Sequence, residues 1–90
     1  MTKEYNKKYK EYLKKLLSTC LEIQEQGKYL AWYNLAPHVS NISIYLTEAD
    51  NTDIIIFRED KYYKADWKTE EEMEKELKDL LFELKKYLTN

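Results

Sequence analysis

Four runs decide how this chain folds: Tyr29-Leu-Ala-Trp-Tyr-Asn-Leu35, Asn41-Ile-Ser-Ile-Tyr-Leu-Thr47, Asp53-Ile-Ile-Ile-Phe-Arg58 and Lys61-Tyr-Tyr-Lys-Ala-Asp-Trp67. Each is of strand length and rich in β-branched and aromatic side chains, which fit a pleated surface. The breaks between them, Ala36-Pro37-His38, Glu48 to Thr52 and Glu59-Asp60, have lengths suited to antiparallel hairpins. The first run is apolar on both faces, with Leu30 and Trp32 opposing Tyr29, Ala31, Tyr33 and Leu35. That pattern predicts a central or doubly covered strand rather than a solvated edge. The second alternates, with Ile42, Ile44 and Leu46 against Asn41, Ser43, Tyr45 and Thr47. The third is apolar on both faces, and in the fourth Tyr63, Ala65 and Trp67 oppose Tyr62, Lys64 and Asp66.

Helix-periodic segments flank this block. Between Lys3 and Gln26, Tyr5, Tyr9, Tyr12, Leu13, Leu16, Leu17, Cys20, Leu21 and Ile23 cover about half of a helical cylinder. Lysines and glutamates take the other half, and Gly27, the sole glycine, marks the stop. On the C-terminal side, Thr69 and Glu72 form a capping box that opens a helix over about 70–88. Its stripe is Met73, Leu77, Leu80, Leu81, Leu84, Tyr87 and Leu88. Phe82 falls roughly 160° from the middle of that stripe, on the face otherwise held by Glu, Lys and Asp. The expected architecture is therefore one α+β domain over residues 1–90: helix, antiparallel meander of three or four strands, helix. Two helices with one apolar stripe each pack most simply on a single sheet face, in two layers. The other face then exposes several of Tyr29, Tyr33, Tyr45 and Tyr62.

Bulk properties narrow the function classes. Ninety residues suffice for one core, and 43% hydrophobic with 14% aromatic residues is the composition of a folded chain. A single cysteine forms no internal disulfide, and the absence of a leader-like or spanning apolar run suggests a cytoplasmic protein that does not enter membranes. Lysine outnumbers arginine fourteen to one, a bias that points to AT-rich coding and a low-GC bacterium or one of its mobile elements. The net charge of −2 is unevenly spread. Residues 1–15 carry six lysines against two acids, whereas 41–60 carry five acids against Arg58.

Catalytic constellations are missing from this reading. His38 is the only histidine and reads as a turn residue beside Pro37; Cys20 lies on a buried stripe, where a thiol behaves as a small hydrophobe. Glu48, Asp50 and Asp53 gather oxygens in one loop, yet the glycine and closing glutamate of a calcium loop are lacking. The expectation is a non-enzyme with no catalytic residue, no cofactor and no metal. Nucleic-acid binding by the basic first helix is a rival reading, since lysines there interleave with Tyr5, Tyr9 and Tyr12. A net-acidic chain with one arginine and no RNA-binding signature argues against it. Protein binding is favoured, through Tyr33, Tyr45 and Tyr62 on a sheet face, Phe82 as an exposed anchor, or the acidic patch of Glu48, Asp50 and Asp53. A homodimer that hides Phe82 or the outer sheet face is the third reading.

The segment Tyr33-Asn-Leu-Ala-Pro-His-Val-Ser-Asn-Ile-Ser-Ile-Tyr-Leu46 resembles a loose group of small uncharacterised proteins from phages and mobile elements of low-GC Gram-positive bacteria. The matching positions are Tyr33, His38, Val39, Ile42, Ile44 and Leu46, within about fifteen residues. The resemblance implies an accessory protein that binds a host or phage protein, including as an inhibitor of a defence system. It transfers no catalytic residue.

Overall fold

The helix stop and the capping box act as their residue chemistry predicts. A computed structural model describes residues 7–88, with α1 at Lys7–Glu25, β1 at Tyr29–Ala36, β2 at Asn41–Glu48, β3 at Asn51–Tyr62 and α2 at Glu70–Lys85. Residues 3–6 of the expected first helix, Tyr5 among them, lie outside the described residues. Gly27 takes φ +83°, and its N–H reaches the Gln24 carbonyl at 3.0 Å, which closes α1 in a conformation that only glycine adopts without strain. At α2, Thr69 Oγ1 accepts from the Glu72 N–H at 3.1 Å, while Glu72 Oε1 accepts from the Thr69 N–H at 2.9 Å. Two helix-end amides are thereby satisfied. Thr69→Ala is expected to lower stability by about 1 kcal/mol, and Thr69→Asp to restore most of it, as read from urea midpoints.

The sheet is antiparallel throughout, in the order β1-β2-β3. Register places Ala31 opposite Leu46, Tyr33 opposite Ile44 and Leu35 opposite Ile42, so these residues share the face buried by the helices. Leu16, Cys20 and Ile23 from α1 and Leu77, Leu80, Leu81 and Leu84 from α2 meet Ile42, Ile44 and Leu46 in one core cluster. Both helices therefore cover one face, α1 over β1 and α2 towards β3, and they pack against each other. The fold is a two-layer α+β arrangement.

Several sequence expectations are corrected. β1 is an edge strand, not a central one. Its two apolar faces are explained by α1 on one side and by aromatic stacking with β2 on the other. Among the described residues there is no fourth strand, and there is no turn at Glu59-Asp60: β3 runs on to Tyr62. On an edge strand the charges of 58–61 reach water and pair along each face, Arg58 with Asp60 at 3.8 Å and Glu59 with Lys61 at 3.6 Å, so they need not interrupt the ladder. The chain then bends. Tyr63 turns into the core and stacks on Tyr9 at 5.0 Å, its N–H donating to the Ser40 carbonyl. Lys68 clamps the following turn to α2 through both carboxylate oxygens of Glu76, at 2.6 and 2.8 Å.

The β2–β3 connection is also tighter than the five-residue break suggested, because only Ala49 and Asp50 lie between the strands. The surplus is absorbed in β3, where Thr52, Asp53, Ile54 and Ile56 have no partner in β2. Such bulges twist a strand and interrupt its pairing. α2 ends at Lys85, and its last turn tightens as the Tyr87 N–H reaches the Leu84 carbonyl and the Leu88 N–H that of Lys85. Leu17 and Leu21, expected within the apolar stripe of the first helix, are 41% and 52% exposed.

Candidate functional site

The face of the sheet opposite the helices is built by side chains that alternate with the core set. β1 contributes Leu30, Trp32 and Asn34, opposite Thr47, Tyr45 and Ser43 of β2; β3 adds Ile55, Arg58, Asp60 and Tyr62. Across the middle, Trp32 and Tyr45 stack with centroids 5.5 Å apart and planes 7° from parallel. The Arg58 guanidinium lies over the Tyr45 ring at 5.7 Å. Three strands thus supply one continuous row: indole, phenol, guanidinium. Cross-strand aromatic pairs and cation–π contacts of this kind hold each side chain in one rotamer.

The row is pinned at one end by a hydrogen bond. Trp32 Nε1 donates to Thr47 Oγ1 at 3.2 Å, and Thr47, although on the open face, is only 1% exposed. Trp32 itself is 39% exposed. At the far end of the sheet, Tyr62 meets Trp67 edge-on at 5.2 Å. These two rings border a shallow hollow of about 400 Å³ whose lining includes His38, Ser40 and Asp66. His38 occupies a short 3-10 turn, Pro37–Val39, closed by Ser40 in the left-handed region at φ 54°.

The residues singled out from sequence do not form one surface. Tyr45 and Tyr62 lie on the open face as expected. Tyr29 and Tyr33 do not: both lie on the helix-covered side, Tyr29 edge-on to Tyr87 and Tyr33 donating from its hydroxyl to the Leu13 carbonyl at 3.1 Å. The correction for Tyr33 is one of parity, because the odd-numbered residues Ala31, Tyr33 and Leu35 of β1 pair with Leu46, Ile44 and Ile42, while Tyr45 pairs with Trp32. Phe82 is 65% exposed on the outer side of α2, away from the sheet, with the Lys86 ammonium 5.2 Å from its ring centre. Glu48 and Asp50 border a second hollow, with Lys28 and Tyr29, where the β2–β3 turn meets the end of α1. Asp53 sits in the bulged segment, its N–H bonded to Asn51 Oδ1 at 3.1 Å.

Trp32 and Arg58 were missed by sequence reasoning. The signals were present: Trp32 alternates against Tyr33, and Arg58 is the one arginine of the chain. Cys20 is buried, which pushes its thiol up to about 11, so at neutral pH it is a thiol and not a nucleophilic thiolate. Among the described residues no group of three His, Cys, Asp or Glu side chains is placed to hold a metal ion. Nor is any helix among them long and apolar enough to cross a membrane. Comparison with protein families, with curated proteins and with solved structures yields no match.

Proposed function

We propose that this chain is a protein-binding accessory module that acts by stoichiometric contact through the open face of its sheet, without catalysis. One observation carries the reading: the row Trp32, Tyr45, Arg58 is locked by stacking and by the bond to Thr47, on a face against which no described helix packs. Aromatic and arginine side chains dominate binding hot spots, and those already held in one rotamer lose little entropy on binding. Around the row, Ile55 and Leu30 add apolar area, and Asn34, Ser43 and Asp60 form a polar rim. This is the make-up of a protein contact surface.

The resemblance at residues 33–46 suggests the setting, a phage or mobile element of a low-GC Gram-positive host, with inhibition of a host defence protein as the corresponding role. The test is affinity capture from such a host with the tagged chain, in parallel with Tyr45→Ala and Arg58→Ala. Each substitution removes a hot-spot side chain and is expected to weaken partner affinity by about tenfold or more. Phe82→Ala, on the far side of α2, is expected to leave capture unchanged. Equal capture by all four proteins would overturn the assignment of the face.

Nucleic-acid binding through α1 loses part of its basis, because Tyr9 and Tyr12 pack against the core instead of standing free to stack bases. It predicts capture that collapses with nuclease or high salt, since phosphate contacts release counterions. Protein capture that survives both treatments is the expected result.

A further inference from the structure

The two edges of the sheet are protected very differently. β3 carries four consecutive charged side chains, Arg58 to Lys61, and two bulges, devices that stop an edge from pairing with another chain. β1 has eight residues without a charge, a proline or a register break. Its free backbone groups can be assigned. The Ala49 N–H donates to the Lys28 carbonyl at 3.3 Å, and antiparallel bonding alternates from there. Leu30, Trp32, Asn34 and Ala36 therefore bond to β2, while Tyr29, Ala31, Tyr33 and Leu35 direct their N–H and C=O groups outward. Consistent with this, the Ala31 N–H meets Gln24 Oε1 of α1 at 3.3 Å instead of β2.

Beside this edge, α1 shows an apolar flank that the other described residues leave largely uncovered. At about 100° per residue, Leu17, Leu21 and Gln24 fall within roughly 60° of one another. Because Gln24 reaches the β1 edge, the two leucines stand on that same side, and both are largely exposed. An uncharged open edge and an exposed leucine pair thus adjoin.

We infer that two copies of this chain pair through β1, antiparallel, about a two-fold axis normal to the sheet that passes midway between their Trp32 residues. Such an axis keeps both helix layers on one side and makes a six-stranded sheet, in which facing residues share a face. α1 runs back alongside β1, with Gln24 bonded to Ala31 and the Leu13 carbonyl to the Tyr33 hydroxyl. Trp32 lies ~10 Å from Tyr29 along the strand, while Leu21 and Leu17 lie ~6 and ~12 Å back from Glu25 along the helix. An axis at Trp32 therefore also runs between the two leucines, so the same rotation pairs the strands and packs α1 on α1. In that arrangement Ala31 bonds to Tyr33 of the second copy and Tyr29 to Leu35. Lys14 comes beside Glu25 of the second copy, and Trp32 faces its own counterpart at a closely spaced, non-hydrogen-bonded position. This self-complementarity selects a second copy over a foreign strand. Gln24 must release the Ala31 amide first. The inference is independent of the proposed binding role, although pairing would join two aromatic rows into one.

Sedimentation velocity of the purified chain from micromolar to millimolar concentration is expected to show a species of twice the 11.0 kDa chain mass. Leu17→Lys with Leu21→Lys should return the monomer with unchanged circular dichroism, Phe82→Lys should leave the dimer intact, and Gln24→Ala should strengthen it. Register is tested by mild oxidation: Trp32→Cys should cross-link two copies, whereas Leu35→Cys, which faces Tyr29 of the second copy and lies about six strand positions from its own counterpart, should not. A monomer at every concentration, a dimer that survives the double lysine change, or cross-linking by Leu35→Cys and not Trp32→Cys would overturn the inference.

Discussion

Replacing Ile44 with alanine is expected to lower the unfolding free energy by about 2–5 kcal/mol, the range for truncating a fully buried aliphatic side chain. A chain of this size has roughly 5–13 kcal/mol in total, so the variant is expected to unfold at a far lower urea midpoint with an unchanged slope. The position explains the size of the effect. Ile44 is fully buried on the central strand, between Tyr33 of β1 and Glu59 of β3 and beneath both helices. The strand is held by ladders on both sides and cannot move to fill the space, so most of the cavity remains. Ile55→Ala removes the same atoms from a half-exposed site on the edge strand and should cost under about 1 kcal/mol. Similar losses at both positions would contradict the assignment of the two faces.

The second large effect is a loss of stability at high pH. Burial raises the Cys20 thiol from 9.0 to about 11, and burial also raises the Tyr33 and Tyr63 hydroxyls above 10.0. In each case the folded state holds its proton more tightly than the unfolded state, so unfolding releases protons and stability falls as pH rises. For Cys20 the contribution is fully present below pH 9 and is lost between pH 9 and about 11, to the extent of roughly 2 kcal/mol. Tyr33 adds to the loss at higher pH, because its hydroxyl donates to the Leu13 carbonyl and a phenolate there would face an oxygen lone pair. Urea midpoints measured from pH 7 to pH 11 are expected to fall steadily above pH 9. Cys20→Ala should start less stable but show a flatter decline over that range. A wild-type profile that is flat to pH 11 would refute the prediction.

Local chemistry made much of this readable from the residues. The alternation of Ile42, Ile44 and Leu46 defined the buried face of β2 with no knowledge of its neighbours, because a strand repeats every two residues. Gly27 and the Thr69–Glu72 pair marked helix ends because their roles depend only on adjacent backbone. By contrast, β1 is apolar on both faces, so its own pattern could not say whether Trp32 or Tyr33 joined the open face. That choice was made by its register with β2. The expected break at Glu59-Asp60 followed a general rule about charged residues in strands, which solvent at a sheet edge relaxes.

What the sequence by itself determined is the set of elements: an amphipathic helix with a glycine stop, aromatic strands, and a capped second helix with Phe82 on its wet side. These follow from periodicity and from side-chain to backbone bonds a few residues long. Only the tertiary structure decided the order of strands, the length of β3, the exposure of Leu17 and Leu21, and the row of Trp32, Tyr45 and Arg58 drawn from three separate strands. Each of these depends on which residues distant in the chain become neighbours, and that is settled by ladder register and by where the two helices lie.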